Sequence, residues 1–209
     1  MNEIKKMWDN RYAAEEYSYG KAPNVFFKNA LKEYKIAGKL LLPAEGEGRN
    51  AVYAAKQGLD VTAFDISEAG KKKALQLAAK EEVNINYIVG DFLEPDIVNQ
   101  QYDAAALIFA HFPPSLLSAY HKEIGVLIKP NGIVVLEGFS KNHIAYQKKN
   151  PKVGGPKNID FLFSREAIAA DFSDFDVLQI EEVEVHLEEG EFHQGLGSVV
   201  RFVGRKRAS

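Results

Sequence analysis

The chain has 209 residues, 26 basic against 29 acidic side chains, no cysteine and 46% hydrophobic residues, which suits a single soluble domain around one core and a cytoplasmic location. Without cysteine there is no disulfide framework, thiolate metal site, iron–sulfur cluster or cysteine nucleophile. A formal net charge of −3 argues against nucleic acid as a partner, because phosphate contacts need a basic face, and no apolar run approaches the roughly 20 residues that span a bilayer.

In chain order, an aromatic-rich segment over residues 8–19 precedes a helix expected at 24–35. Short apolar runs rich in β-branched residues follow at 39–43, 61–64, 85–89, 104–109 and 133–136. Each lacks clean alternation, as strands buried on both faces do. Between them the pattern predicts helices over 49–57, closed by Gly58, and over 68–82, where Ala74, Leu75, Ala78 and Ala79 form an apolar stripe opposite lysines. A third begins at Pro113 and Pro114 and runs to about Lys129, with Pro130, Asn131 and Gly132 as a turn into the fifth strand. The segment 141–157, with five lysines and no acidic residue, reads as a long loop. Ser164 starts a further helix, and 175–187 with 197–204 read as a hairpin around the turn 188–194, an antiparallel edge to a parallel sheet. The alternation of strands and helices is that of an α/β fold. One domain covers 1–209, with an N-terminal lid and helix over 1–36 and a core over 37–209.

Chemistry concentrates at three strand ends. After the first strand comes PAEGEGRN, residues 43–50, leading into a helix. Glycines at such a turn let backbone N–H groups approach an anionic ligand, and the helix adds the positive end of its dipole; a G-x-G pair is equally an ordinary tight turn. The second strand ends in Asp65, 17 residues past Gly48, where a carboxylate can accept from both hydroxyls of a ribose or belong to the N-cap region of the next helix. The third ends in Gly90, Asp91 and Phe92. There an acid can meet an exocyclic amino group, while Phe92 or Ile66 sandwiches a purine. The three ends together suit a nucleoside cofactor.

In these stretches, LLLPAEGEGRNAVYAAKQG, VTAFDIS, VGDF, YDAAALIFAHF and LIKPNGIVVLEGF, the sequence resembles the class I S-adenosylmethionine-dependent methyltransferases. WDNRY and YGKAPN near the start, and EGEFHQGLGSVVRFVGRK near the end, are similar to the small tellurite-resistance and thiopurine methyltransferase-like group. The resemblance implies a Rossmann-like seven-stranded sheet of order 3-2-1-4-5-7-6 with strand seven antiparallel. It further implies an enzyme that passes a methyl group from S-adenosylmethionine to a small nucleophile: a thiol, a chalcogen oxyanion or a heterocycle. The family's usual acid ahead of the glycines falls at Leu42, and its first glycine at Ala44; here Pro43 and Glu45 stand instead.

On this likeness the methionine end of the cofactor meets Ala44, Glu45, Gly46, Glu47, Gly48, Arg49 and Asn50, with Tyr12 close by. Asp65 holds the ribose, Asp91 and Phe92 the adenine, with Ile66 the other candidate face for the purine, and Ala110 faces the methyl. Glu45 or Glu47 is left to bind the cofactor's amino group, the alternative being that either is simply solvated. His111 is the titratable residue expected at the acceptor and can act as a base or simply bond a nearby backbone group. Trp8, Tyr19 and Phe112 are the expected substrate contacts, with Trp8, Tyr12, Tyr17 and Tyr19 forming a lid or packing across the edge helices. The string Phe112, Pro113, Pro114, Ser115 lacks the polar residue and stacking ring of amino-methylating enzymes that act on bases. The histidines show no metal-ligand spacing, and no metal is expected. Two other readings stay open: a protein that binds S-adenosylmethionine without transferring its methyl, and a nicotinamide-dependent Rossmann enzyme, although Ala51 stands where that fingerprint's third glycine belongs.

Overall fold

A computed structural model of the chain describes residues 2–90 and 94–208. Two helices, α1 (Asn2–Tyr12) and α2 (Val25–Glu33), precede β1 (Lys39–Pro43). Alternating units follow: α3 (Arg49–Lys56), β2 (Asp60–Asp65), α4 (Glu68–Lys80), β3 (Asn86–Val89), α5 (Pro95–Val98), β4 (Tyr102–Ile108), α6 (Pro114–Leu127) and β5 (Ile128–Phe139). The chain ends with α7 (His143–Lys149), α8 (Arg165–Asp171), β6 (Phe175–Glu189) and β7 (His193–Lys206). The sheet has seven strands in the order β3-β2-β1-β4-β5-β7-β6. β1 to β5 are parallel, while β7 runs antiparallel to both β5 and β6, as expected.

Both faces of the central strands are buried, so consecutive residues feed opposite layers. On one face Leu41, Ala105, Leu107, Val134 and Leu136 pack against α6 and α8 through Tyr120, Ile124, Ile168 and Phe172. On the other, Leu40, Leu42, Ala104, Ala106 and Ile108 pack against Phe27, Ala30 and Leu31 of α2 and Ala51, Ala54 and Ala74 of α3 and α4. Burial of these apolar strands on both sides is the main driving term for the layered fold. Fully buried His121 ties α6 to α8 through Asp171, its Nδ1 lying 2.8 Å from the carboxylate.

The aromatic-rich segment 8–19 begins within α1, which runs to Tyr12. Two expectations are corrected. The region 141–157 is not one long loop; it contains α7 and a 3-10 turn, Pro151–Val153, and α7 seals His143 against Phe139 with ring centroids 3.9 Å apart. The turn expected at 130–132 is taken into an extended β5, with Asn131 at φ 65°. Asn tolerates that left-handed conformation better than most residues, so the strand passes through it rather than ending there. Among the described residues no helix is long and apolar enough to cross a membrane.

Candidate active site

β1 and β4 are neighbours in the sheet, yet the chain leaves β1 toward β2 and leaves β4 toward β5. This is the topological switch point, where open α/β sheets hold ligands beyond their carboxyl ends. Backbone strain collects there. Ala44, just past β1, and Phe109, just past β4, both have φ 53°, a region that costs a residue with a Cβ about 1 kcal/mol.

The glycine loop is built from close approaches. A Cβ on Gly48 (φ 85°) would lie 2.5 Å from Cβ of Ala74, so glycine lets α3 start against α4. A Cβ on Gly46 (φ 58°) would lie 2.6 Å from the Tyr12 hydroxyl. Tyr12 is buried and makes no hydrogen bond among the described residues, so its hydroxyl lies at the loop without a partner. The Tyr87 hydroxyl donates to the Gly46 carbonyl at 2.5 Å. The Gly46 N–H donates to Oδ2 of Asp65 at 3.0 Å, and the Ser67 N–H to Oδ1 at 2.9 Å. Burial pushes the Asp65 carboxyl up to about 6 against these bonds. Asp65 thus supports the N-cap residue Ser67 and stands beside the glycine loop, its carboxylate surrounded by the N–H groups of Gly46, Ser67 and Ile66. Ile66 follows it, half-buried.

The two glutamates of the loop have structural partners. Glu45 Oε1 accepts from the N–H groups of Asn50 and Ala51 at 2.8 and 2.7 Å, the anion placed at the positive end of α3. Burial still pushes its carboxyl up to about 7. Glu47 accepts from the Ser18 N–H at 2.8 Å and forms an ion pair with Lys73 at 2.6 Å. Asn50 Oδ1 accepts from the Asn24 N–H at 2.9 Å. Arg49 pairs with Glu189 at 2.9 Å and donates to the Tyr19 carbonyl at 3.3 Å. Asp91 and Phe92, expected at the adenine, lie outside the described residues.

The expected base is held on both ring nitrogens. His111 Nδ1 lies 2.8 Å from the Phe161 carbonyl, and Nε2 accepts from the Phe139 N–H at 3.1 Å. Burial pushes it down to about 4, and its ring stacks on Phe163 at 4.5 Å. The backbone-bonded alternative describes it, which leaves no ring lone pair for an acceptor's proton. Ala110 is buried beside it. Phe112 is buried too, edge-on to Tyr120 at 5.1 Å within the core beneath α6.

A second histidine, which the sequence reading passed over as part of a turn, has the opposite character. β6 and β7 extend further than expected, so Glu189 and His193 become a cross-strand pair. His193 Nδ1 lies 2.9 Å from Oε2 of Glu189, and since a carboxylate only accepts, the proton is on Nδ1. Burial opposes ionisation of Glu189, but His193 and Arg49 hold it down at about 2. Burial keeps His193 itself below the usual histidine range although Glu189 pulls upward. Its Nε2 has no hydrogen-bond partner among the described residues. Around the ring stand Tyr19 and Phe109, both 4.6 Å away, and Phe139 at 5.1 Å.

The N-terminal segment completes the site. Trp8 stacks on Tyr12 at 5.4 Å, and Asp9 accepts from the Ser67 hydroxyl at 2.6 Å, fixing α1 to the start of α4. Asn24, in the YGKAPN stretch, donates through Nδ2 to Glu137 at 2.7 Å and to Glu189 at 3.1 Å, while Arg201 donates to Glu137 at 2.6 Å. The N-terminal segment is therefore hydrogen-bonded to β5 and the hairpin as well as to the glycine loop. Among the described residues no cluster of His, Asp or Glu could hold a metal ion.

Comparison with known proteins agrees with this geometry. Residues 43–132 match a family described as a methyltransferase domain. The chain is similar to an S-adenosylmethionine-dependent methyltransferase from Anabaena variabilis, with 17% identity, 99% of this chain and 94% of that one covered, and a TM-score of 0.70. The fold is that of the S-adenosylmethionine-dependent methyltransferases.

A structure concerned with conversion of a disulfide bond into a thioacetal group during echinomycin biosynthesis has a TM-score of 0.78 at 16% identity, covering 98% of this chain and 92% of that one. TehB from Haemophilus influenzae has a TM-score of 0.68 at 18% identity, covering 97% of this chain and 67% of that one. No curated protein matches the sequence. The glycine loop, Asp65 and the unpartnered Tyr12 hydroxyl lie together at the carboxyl ends of β1 and β2.

Proposed function

We propose that the chain is an S-adenosylmethionine-dependent methyltransferase acting on a small nucleophile. The observation that carries this reading is the pairing, at one switch point, of a glycine loop braced by Asp65 with an aromatic-walled imidazole whose Nε2 is unpartnered. S-adenosylmethionine supplies a methyl on a sulfonium, whose departure leaves a neutral thioether, so the protein's work is alignment and exclusion of water. Asp65 accepts from the ribose hydroxyls, the loop Ala44 to Asn50 and Tyr12 bind the methionine end, and Asp91 and Phe92 take the adenine. Trp8 and Tyr19 close over the acceptor from the lid, with Tyr19 and Phe109 walling its approach. His193, rather than His111, is the group able to take a proton.

The aromatic surroundings of His193 favour a thiol, an oxyanion or a heterocycle over a macromolecule, as does the resemblance of WDNRY and YGKAPN to the tellurite-resistance and thiopurine-like group. The experiment is turnover of S-adenosylmethionine to S-adenosylhomocysteine with a panel of such acceptors. Product formation with at least one of them is expected. Tight binding of the cofactor with no turnover on any would instead favour a protein that binds it without transfer.

A further inference from the structure

Arg11 carries a charge that the protein does not neutralise. Among the described residues it has no carboxylate partner; its guanidinium lies over the rings of Phe192 at 4.6 Å and Trp8 at 5.0 Å, and NH1 donates to the Tyr19 hydroxyl at 2.9 Å. Aromatic faces stabilise a cation without using its N–H groups, and guanidinium has five of them. One is spent on Tyr19, so a fork able to grip a carboxylate or oxyanion in two bonds remains.

The same tyrosine joins this cation to the free imidazole. While its hydroxyl receives Arg11, its ring lies 4.6 Å from His193, and Phe192 beneath the guanidinium is the neighbour of His193 in sequence. His193 is fixed in one tautomer by Glu189, so the nitrogen it offers is an acceptor and not a donor. A molecule seated between the two therefore meets a positive fork on one side and a proton acceptor on the other. The buried carboxylates on this side are already paired: Glu189 with Arg49 and His193, Glu137 with Arg201 and Asn24.

Building on the methyltransferase reading, we propose that the acceptor is a small acid: it carries a negative charge, which Arg11 binds, and a separate X–H group, whose proton goes to Nε2 of His193. In the step, the proton moves from X to Nε2, the lone pair on X forms the bond to the methyl carbon, and the electrons of the carbon–sulfur bond return to sulfur. The imidazolium formed is balanced by Glu189, and the product is the methylated acid with S-adenosylhomocysteine. Arg11 is a specificity residue for the acceptor, not for the cofactor.

Matched pairs test this: 3-mercaptopropionate against its methyl ester, and 4-hydroxybenzoate against its methyl ester. Binding of each is measured by calorimetry to the protein saturated with S-adenosylhomocysteine, and turnover is measured with S-adenosylmethionine. In at least one pair the acid should bind and react at least tenfold better than the ester. Arg11→Met should erase that preference while changing cofactor affinity less than threefold. His193→Gln should lower kcat and flatten its dependence on pH while leaving acid binding in place.

Esters that equal the acids in both pairs, or acids that do not bind at all, overturn the proposal. So does an Arg11→Met protein that loses cofactor affinity and keeps the acid preference, which would give the guanidinium to the cofactor's own carboxylate. Acids that bind through Arg11 in a protein showing no turnover would instead overturn the transferase reading and leave the anion site standing.

Discussion

Glu47 and Lys73 form a buried ion pair of 2.6 Å across the glycine loop and α4, with Lys73 lying 4.5 Å from the ring centre of Tyr17. Lys73 also donates to the carbonyls of Ala14 and Glu16 at 2.9 and 2.6 Å, and Glu47 receives the Ser18 N–H. One residue of the glycine loop and one of α4 therefore hold the segment 14–18 in place.

Removing one member leaves the other charged and buried, which costs about 3–5 kcal/mol. Glu47→Ala should lower the denaturant midpoint accordingly, and amide exchange at Ser18 should quicken. The double change Glu47→Gln with Lys73→Met keeps an acceptor for Ser18 and removes both charges, so it should recover most of the loss. A Glu47→Ala protein as stable as the native one, with Ser18 still protected, would show that the lid is held elsewhere.

Gly48 supports a different kind of prediction, because its Cβ position collides with Ala74 and its φ of 85° disfavours any side chain. Gly48→Ala should destabilise by about 2–4 kcal/mol, the sum of left-handed strain and overpacking. Adding Ala74→Gly removes the Cβ contact but leaves the Cα of residue 74 at 2.8 Å and the strain in place, and the new glycine costs α4 about 1 kcal/mol, so thermal unfolding of the double variant should show no recovery over the single one.

The buried His111 sets a pH signature. Burial holds its folded pKa at about 4, below the ordinary histidine value of 6.5, so the unfolded chain takes up the proton first as pH falls. The stability associated with the neutral, doubly bonded ring is full above about 6.5 and is lost as pH drops toward 4. His111→Gln cannot titrate. The stability difference between native protein and variant, from urea unfolding at pH 7.0 and 4.5, should shrink at the lower pH by on the order of 2–3 kcal/mol. A difference that ignores pH would contradict the geometry around the ring.

Much of this architecture is legible in the sequence. Continuous apolar runs such as 40–42 and 104–108 can only be strands buried on both faces, and PAEGEGRN followed by Asp65 marks where the sheet opens. Ser164 caps α8 as its residue type suggests, its Oγ accepting from the Ala167 N–H at 3.3 Å. Misread segments had local signals that tertiary contacts outweigh. Pro130, Asn131 and Gly132 look like a turn but lie within β5, and the lysine-rich stretch hides α7, whose buried residue is His143.

Arg11 and His193 carry no local signal in the sequence, because their juxtaposition depends on Tyr19 and on the length of the hairpin, which starts β7 at His193. A turn read as 188–194 separates Glu189 from His193; the observed strands, which leave only Gly190, Glu191 and Phe192 between them, pair the two directly. His111 drew attention as a titratable residue at the end of β4, yet Phe139 and Phe161 occupy it from elements remote in sequence.

The central claim, that the ends of β1 and β2 receive one adenosyl cofactor, is tested most directly by calorimetric titration with S-adenosylmethionine and S-adenosylhomocysteine, comparing the native protein with Asp65→Asn. Loss of a charged acceptor for the ribose hydroxyls should weaken binding roughly 10- to 100-fold. Because the Asp65 carboxyl is raised to about 6, native affinity should decline as pH falls through that value, where the acceptor becomes protonated, and the variant should lack the decline. No heat with either compound, or an Asp65→Asn protein that is folded and binds as tightly as the native one, would contradict the account.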